Sequence, residues 1–172
     1  MNTVINNNSD VDLSFGKKLT TNEQIKIKTI ISYDGHEYFI PGCVALKIGF
    51  ICGMTEAGLF DSLALPLPAV PSVAQIGHQV LQFMATNLGL CSTGIDYLQK
   101  VVLGATSKEY IEQIDKLGVS EIRSVLEQVF ALLALADYWD CPEITSGCSE
   151  FIALILSKSD QHTVRVWFSG IV

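Results

Sequence analysis

The chain has 172 residues, a length that suits one domain able to bury well over half of its unfolded surface without a metal or disulfide. Hydrophobic residues make up 49% and charged residues 17%, so we expect another chain to cover part of the surface. The formal charge of -7, with no basic run longer than Lys17-Lys18, argues against nucleic-acid binding.

The sequence also lacks the signals of several other protein classes. It shows no signal peptide and no apolar segment of about 18 residues free of charges or helix breakers, so we expect neither secretion nor a membrane span. The five cysteines have no CxxC spacing, which is typical of reduced thiols in a cytoplasmic and/or nuclear protein. Since no histidine has a metal-ligand partner at suitable spacing and no catalytic motif occurs, we expect no metal, no cofactor and no enzyme activity.

The chain begins with a polar stretch followed by a hairpin pattern. Residues 1–24 are rich in Asn, Ser, Thr and Asp, which predicts a disordered tail. Apolar and polar residues then alternate over 25–32, which predicts a half-buried strand. Asp34-Gly35 follows as a two-residue turn, and residues 37–40 return as the second strand.

Short elements follow the hairpin. Residues 43–54 are predicted to form an apolar helix in which Gly49 and Gly53 allow close packing. In residues 63–68 leucines alternate with one alanine and two prolines, which predicts a strand. Since proline cannot donate a ladder hydrogen bond, this strand should lie at a sheet edge or pair by one side only. Ser72 is predicted to cap the next helix.

The helical signal is weaker in the middle of the chain. Residues 95–103 and 108–117 are predicted to be helical, and they are separated by Gly104 and a cap at Thr106 or Ser107. Gly118 is interpreted as a residue that ends a helix.

The strongest apolar pattern lies in residues 127–156, which predict two helices hinged at Asp140-Cys141-Pro142. The residues at helical spacing are Val129, Phe130, Leu132, Leu133, Ala136 and Trp139 before the proline, and Ile144, Cys148, Phe151, Ile152 and Ile155 after it. So much apolar surface must be buried in a core or against a partner. The large apolar residues from Val164 to Val172 are expected to dock as well.

This order of elements resembles the BTB/POZ fold, and four groups of residues support the resemblance. The resemblance to elongin C lies in Ile31–Tyr38 and Ala45–Ile51. The segment Leu65–Val70 is similar to the third strand of Skp-type adaptors. The segment Ala136–Cys141 resembles a signature that elongin C and the Skp-type adaptors share. The C-terminal residues from Cys148 onward favour the Skp type. The resemblance implies an α+β fold in which a small three-stranded sheet is covered by a cluster of helices over residues 25–141, with a C-terminal helical extension over 142–172.

The Skp-type adaptors are subunits of cullin-RING (SCF-like) ubiquitin ligases, so the resemblance implies a bridge between a cullin N-terminal domain and an F-box-type receptor. On the cullin side the implied contacts are Asp137, Tyr138 and Phe50. On the receptor side they are Phe151, Ile155, Val164, Trp167 and Phe168.

Other interpretations remain open. The same apolar residues are also typical of an ordinary core, in which Tyr138 ends a buried helix and the C-terminal residues pack onto the second helix. A self-association module that forms a homodimer, or a Skp-type mimic that binds only one partner, is the alternative function.

Overall fold

A computed structural model of the protein describes residues 10–12, 18–20, 24–30, 37–41, 45–58, 64–86 and 94–171. In residues 10–12, 18–20 and 24–30, and in part of 37–41 and 64–66, the description is limited to the backbone.

The strands are short and pair locally. Strands β1 (Asp10–Asp12) and β2 (Lys18–Thr20) pair antiparallel, inside the stretch that the sequence predicts to be a disordered tail. Strand β3 (Gln24–Ile30) pairs antiparallel with β4 (Glu37–Pro41) and parallel with β5 (Ala64–Pro66), in the order β4-β3-β5. The predicted hairpin pairing and the edge position of the proline-containing strand are therefore confirmed. The predicted turn at Asp34-Gly35 lies outside the described residues.

Helices make up most of the described chain. They are α1 (Gly49–Glu56), α2 (Pro71–Thr86), α3 (Gly94–Tyr97, continued by a π-helical turn over Leu98–Val102), α4 (Ser107–Gln113, continued by a 3-10 turn over Ile114–Lys116), α5 (Val119–Trp139), α6 (Pro142–Lys158) and α7 (Gln161–Phe168). None of the described helices is long and apolar enough to cross a membrane.

The predicted α+β class, a BTB/POZ fold with a three-stranded sheet covered by helices, is wrong, because the protein is mostly helical. Among the residues whose side chains are described, 77% are helical, so the short strands form only a minor part of the fold. The physical reason lies in the distribution of apolar residues. Most of the buried hydrophobic side chains in the described residues belong to helices, and α2, α5 and α6 supply about half of them, so the packing of helix against helix dominates the core.

Helix α5 lies at the centre of this core. Its buried residues recur three or four positions apart and are Ile122, Leu126, Val129, Leu132, Leu135, Ala136 and Trp139. Helix α2 packs closely against it at Gly77, where an added Cβ would collide with the side chain of Leu67 and lie 3.3 Å from Leu135. Phe130 and Leu133, which the pattern places with the core residues, are only partly buried at its edge.

Local hydrogen bonds define where the helices begin. The predicted cap at Thr106 is confirmed, because its hydroxyl accepts from the Glu109 amide at 3.3 Å while the Glu109 carboxylate accepts from the Thr106 amide at 2.9 Å. Gly118, by contrast, begins a helix rather than ending one. Its amide donates to the carboxylate of Glu121 at 2.8 Å, and α5 starts at the next residue.

Candidate partner-binding surfaces

A sharp turn joins α5 to α6. Asp140 has a left-handed backbone with φ of 55°, and the amide of Cys141 donates back to the carbonyl of Ala136 at 2.8 Å. Pro142 then occupies the first position of α6, where its missing N–H costs no helical hydrogen bond. The predicted hinge at these residues is confirmed.

Helix α1 is tied to this turn at its first residue. The amide of Gly49 donates to the carbonyl of Asp140 at 3.0 Å, and Lys47 forms an ion pair with Glu143 at 3.5 Å. Both charged side chains are about half exposed, so the ion pair adds little stability. The contacts bring the start of α1 to the end of α5. We call the surface formed by Lys47, Phe50, Asp137, Tyr138 and Glu143 the joint surface.

Large aromatic side chains are exposed on the joint surface. Tyr138 is 48% exposed and Phe50 is 38% exposed, and Asp137 is also exposed. Trp139, next to Tyr138 in sequence, is completely buried and donates from its indole nitrogen to the carbonyl of Pro66 at 2.9 Å. The structure therefore places all three predicted cullin-side residues on the surface, and Tyr138 is not a core residue.

The residues predicted for the receptor side are distributed differently. Phe151 and Ile155 are completely buried, and the ring of Phe151 packs edge-to-face against Tyr110 with 5.5 Å between ring centroids. Trp167 is 6% exposed, whereas Val164 is half-buried. These positions match the alternative in which the C-terminal residues pack within the chain. The contact of Phe151 and Ile155 with a receptor stays a prediction, and it requires these side chains to become accessible.

Helix α7 docks on α5 through both polar and apolar contacts. The guanidinium of Arg123 donates to the carbonyl of Val166 at 2.6 and 3.1 Å and to the hydroxyl of Ser169 at 2.6 Å. The ring of Phe168 packs edge-to-face on Phe130 with centroids 5.8 Å apart. The expectation that the apolar C-terminal residues dock is confirmed.

The outer side of α6 carries an apolar residue that sequence reasoning did not select. Leu156 is 49% exposed, and Ile152, one helical turn earlier, is half-buried. The signal in the sequence was the position of Leu156, which lies off the stripe of buried residues formed by Ile144, Cys148, Phe151 and Ile155. Leu156 and Ile152 are therefore apolar side chains of α6 that a partner can reach.

The buried thiols of α6 and its N-terminal turn are chemically inert. Burial raises the pKa of Cys141 and of Cys148 to about 12, so both stay protonated at neutral pH. In the part of the chain that the structure describes, no group of His, Cys, Asp and Glu side chains is arranged to hold a metal ion. The features that stand out are therefore exposed apolar side chains on rigid helices.

Comparison with known proteins found no family model, no curated protein and no solved structure that matches the chain.

Proposed function

We propose that the protein is a non-enzymatic adaptor subunit of a cullin-RING ubiquitin ligase, in which it bridges a cullin N-terminal domain and an F-box-type substrate receptor. The observation that carries the proposal is the exposure of Tyr138 beside Asp137 at the end of α5, within the segment Ala136–Cys141 that resembles the Skp-type signature. Such an adaptor works by holding two partners at high effective concentration.

The joint surface suits a partner helix. Tyrosine supplies a large contact area with few rotatable bonds, and such residues contribute much of the binding energy in protein interfaces. The Asp140 turn and the α1 contact hold Tyr138 and Phe50 on rigid backbone, so little conformational entropy is lost on binding. Asp137 and the Lys47–Glu143 ion pair supply charges around the apolar contact that would select the partner's orientation.

The receptor side of the proposal rests on α6 and α7. Ile152 and Leu156 present apolar side chains on the outer side of α6, and Val164 is partly accessible on α7. Buried Phe151, Ile155 and Trp167 would support this surface from within. The two proposed surfaces share no residue, so separate substitutions address them.

A pull-down with two matched variants tests the bridge. Tyr138→Ala is expected to lose binding to a purified cullin N-terminal domain and to keep binding to an F-box peptide, whereas Leu156→Ala is expected to show the reverse pattern. Both side chains are about half exposed, so the melting temperature should change little in either variant.

Other results of the binding and light-scattering experiments would contradict the proposal. If the unmodified protein binds neither partner, the adaptor function is wrong. Binding of one partner only would identify a one-sided mimic. A symmetric dimer in light scattering that dissociates on substitution of Tyr138 would assign the joint surface to self-association.

A further inference from the structure

Unbalanced negative charge surrounds the end of α5 on the joint surface. Asp137 lies in the last turn of this helix, and Asp140 follows as its C-terminal cap. Among the described residues, no Lys, Arg or His side chain forms an ion pair with either carboxylate. Lys47, the one basic residue that defines the joint surface, is paired with Glu143 at 3.5 Å. The exposed aromatic side chains of this surface are therefore bordered by carboxylates that no cation balances.

The charge of Asp137 is unfavourable for the helix that carries it. The unpaired carbonyls at the C-terminus of a helix give that end a partial negative charge, so Lys and Arg are favoured there and Asp and Glu are not. The last turn of α5 contains no basic residue. Asp140 differs, because its carboxylate lies beside Gly49 at the start of α1, where the N-terminus of a helix attracts an anion. Asp137 has no such compensation in the described part of the chain.

The position of Asp137 next to an exposed aromatic residue indicates where compensation comes from. A sequence that breaks a local stability rule often does so at a functional site. Tyr138 follows Asp137 directly and is 48% exposed, so a helix that packs on the tyrosine ring passes close to the carboxylate. A Lys or Arg on that helix would balance both Asp137 and the negative end of α5.

We propose that the joint surface binds a basic amphipathic helix, whose apolar side covers Tyr138 and Phe50 and whose Lys or Arg pairs with Asp137. This inference rests on the proposed function, because it assigns the chemistry of the partner that occupies the same surface. A second copy of the chain does not fit, since a two-fold symmetric interface would bring the two Asp137 carboxylates together between chains of formal charge -7.

The first measurement needs no partner. Asp137→Asn removes the charge and keeps the shape of the side chain, so the free protein should melt about 1–4 °C higher. Glu127→Gln makes the same charge change at an exposed position in the middle of α5, where the melting temperature should change little. Equal shifts in the two variants would overturn the inference, because Asp137 would then carry no electrostatic cost.

The second measurement is the affinity of the full chain for a purified cullin N-terminal domain, determined by isothermal titration calorimetry. Asp137→Asn should weaken binding by about three- to tenfold although it stabilises the free protein, and Asp137→Lys should weaken it by more than about tenfold. Glu127→Lys, which changes the net charge equally, should alter the affinity by less than about twofold. Among variants that change an exposed Lys or Arg of the cullin domain to Glu, at least one should restore binding to Asp137→Lys.

Failure of the inference can be told apart from failure of the adaptor function. If the unmodified protein does not bind the cullin domain, the adaptor function is wrong and the inference is overturned with it. If the protein binds and Asp137→Lys has the same affinity as Glu127→Lys, the adaptor function stands and only the inference is overturned. The same conclusion follows if no charge reversal in the cullin domain restores binding to Asp137→Lys.

Discussion

The amide of Gly49 lies 3.0 Å from the carbonyl oxygen of Asp140, and this hydrogen bond fixes the first residue of α1 against the turn between α5 and α6. A Cβ on Gly49 would lie 2.5 Å from the Asp140 carboxylate and 2.6 Å from its carbonyl oxygen. The contact is thus too close for any other residue type. It is also what brings Phe50 to the same end of the molecule as Tyr138.

Gly49→Ala is expected to lower the free energy of unfolding by about 1–3 kcal/mol, because the added methyl group collides with backbone that cannot move freely. Urea unfolding measures the change. Gly53→Ala in the same helix is the matched control. An added Cβ there meets nothing within 4 Å, so this variant should gain about 0.5–1 kcal/mol from the higher helix propensity of alanine. Equal effects in the two variants would show that α1 is not packed against Asp140.

Trp139→Phe tests how much the buried side chain of Trp139 contributes to stability, in contrast to its exposed neighbour Tyr138. The substitution removes the donor to the carbonyl of Pro66 and leaves space in the core, so we expect a loss of about 2–4 kcal/mol in unfolding free energy. Tyr138→Phe should change stability by no more than about 0.5 kcal/mol, since that side chain is 48% exposed. Thermal denaturation of the two variants gives the comparison, and a larger loss in Tyr138→Phe would contradict the assignment of core and surface.

The buried thiols predict a dependence of stability on alkaline pH. Burial raises the pKa of Cys141 and Cys148 from 9.0 to about 12, so the folded protein binds more protons than the unfolded chain between these values. Their contribution to stability is fully present below pH 9 and is lost as the pH rises towards 12. The midpoint of urea unfolding should therefore fall over this range.

Replacement of both thiols by alanine is the control for this pH dependence. The double variant is expected to be less stable at pH 7 because it loses buried volume, but its stability should decline less steeply above pH 9. Some slope will remain, since burial also raises the pKa of Tyr97 and Tyr110. An unchanged slope in the double variant would show that the two thiols are not responsible.

Arg123→Lys tests the attachment of α7. Lysine cannot reproduce the forked donation to the carbonyl of Val166, so the variant should loosen α7 by about 1–2 kcal/mol while the rest of the core stays protected. Hydrogen exchange of the amides in residues 161–168 measures this local opening. Arg165→Lys, at an exposed position of α7, should leave these exchange rates unchanged.

Local patterns in the sequence predicted several elements correctly. The alternation over residues 25–32 and 37–40 indicated a paired hairpin, and the prolines of residues 63–68 indicated an edge strand. The cap was predicted at Thr106 or Ser107 and lies at Thr106, and Asp140-Cys141-Pro142 was predicted as a hinge, since caps and turns depend on a few neighbouring residues. The fold class was wrong, because it depends on how the elements share the core rather than on which elements form.

In the candidate site, too, the sequence predicted the local elements but not how they pack. The sequence by itself determined that two apolar helices meet at Asp140-Cys141-Pro142, with aromatic residues at their junction. Only the tertiary structure decided that Tyr138 lies on the surface rather than in the core, and that Phe151 and Ile155 are closed off within the chain rather than open to a partner. Helical periodicity identifies a stripe of apolar residues, but the direction from which the neighbouring helices pack decides which side chains lose contact with water.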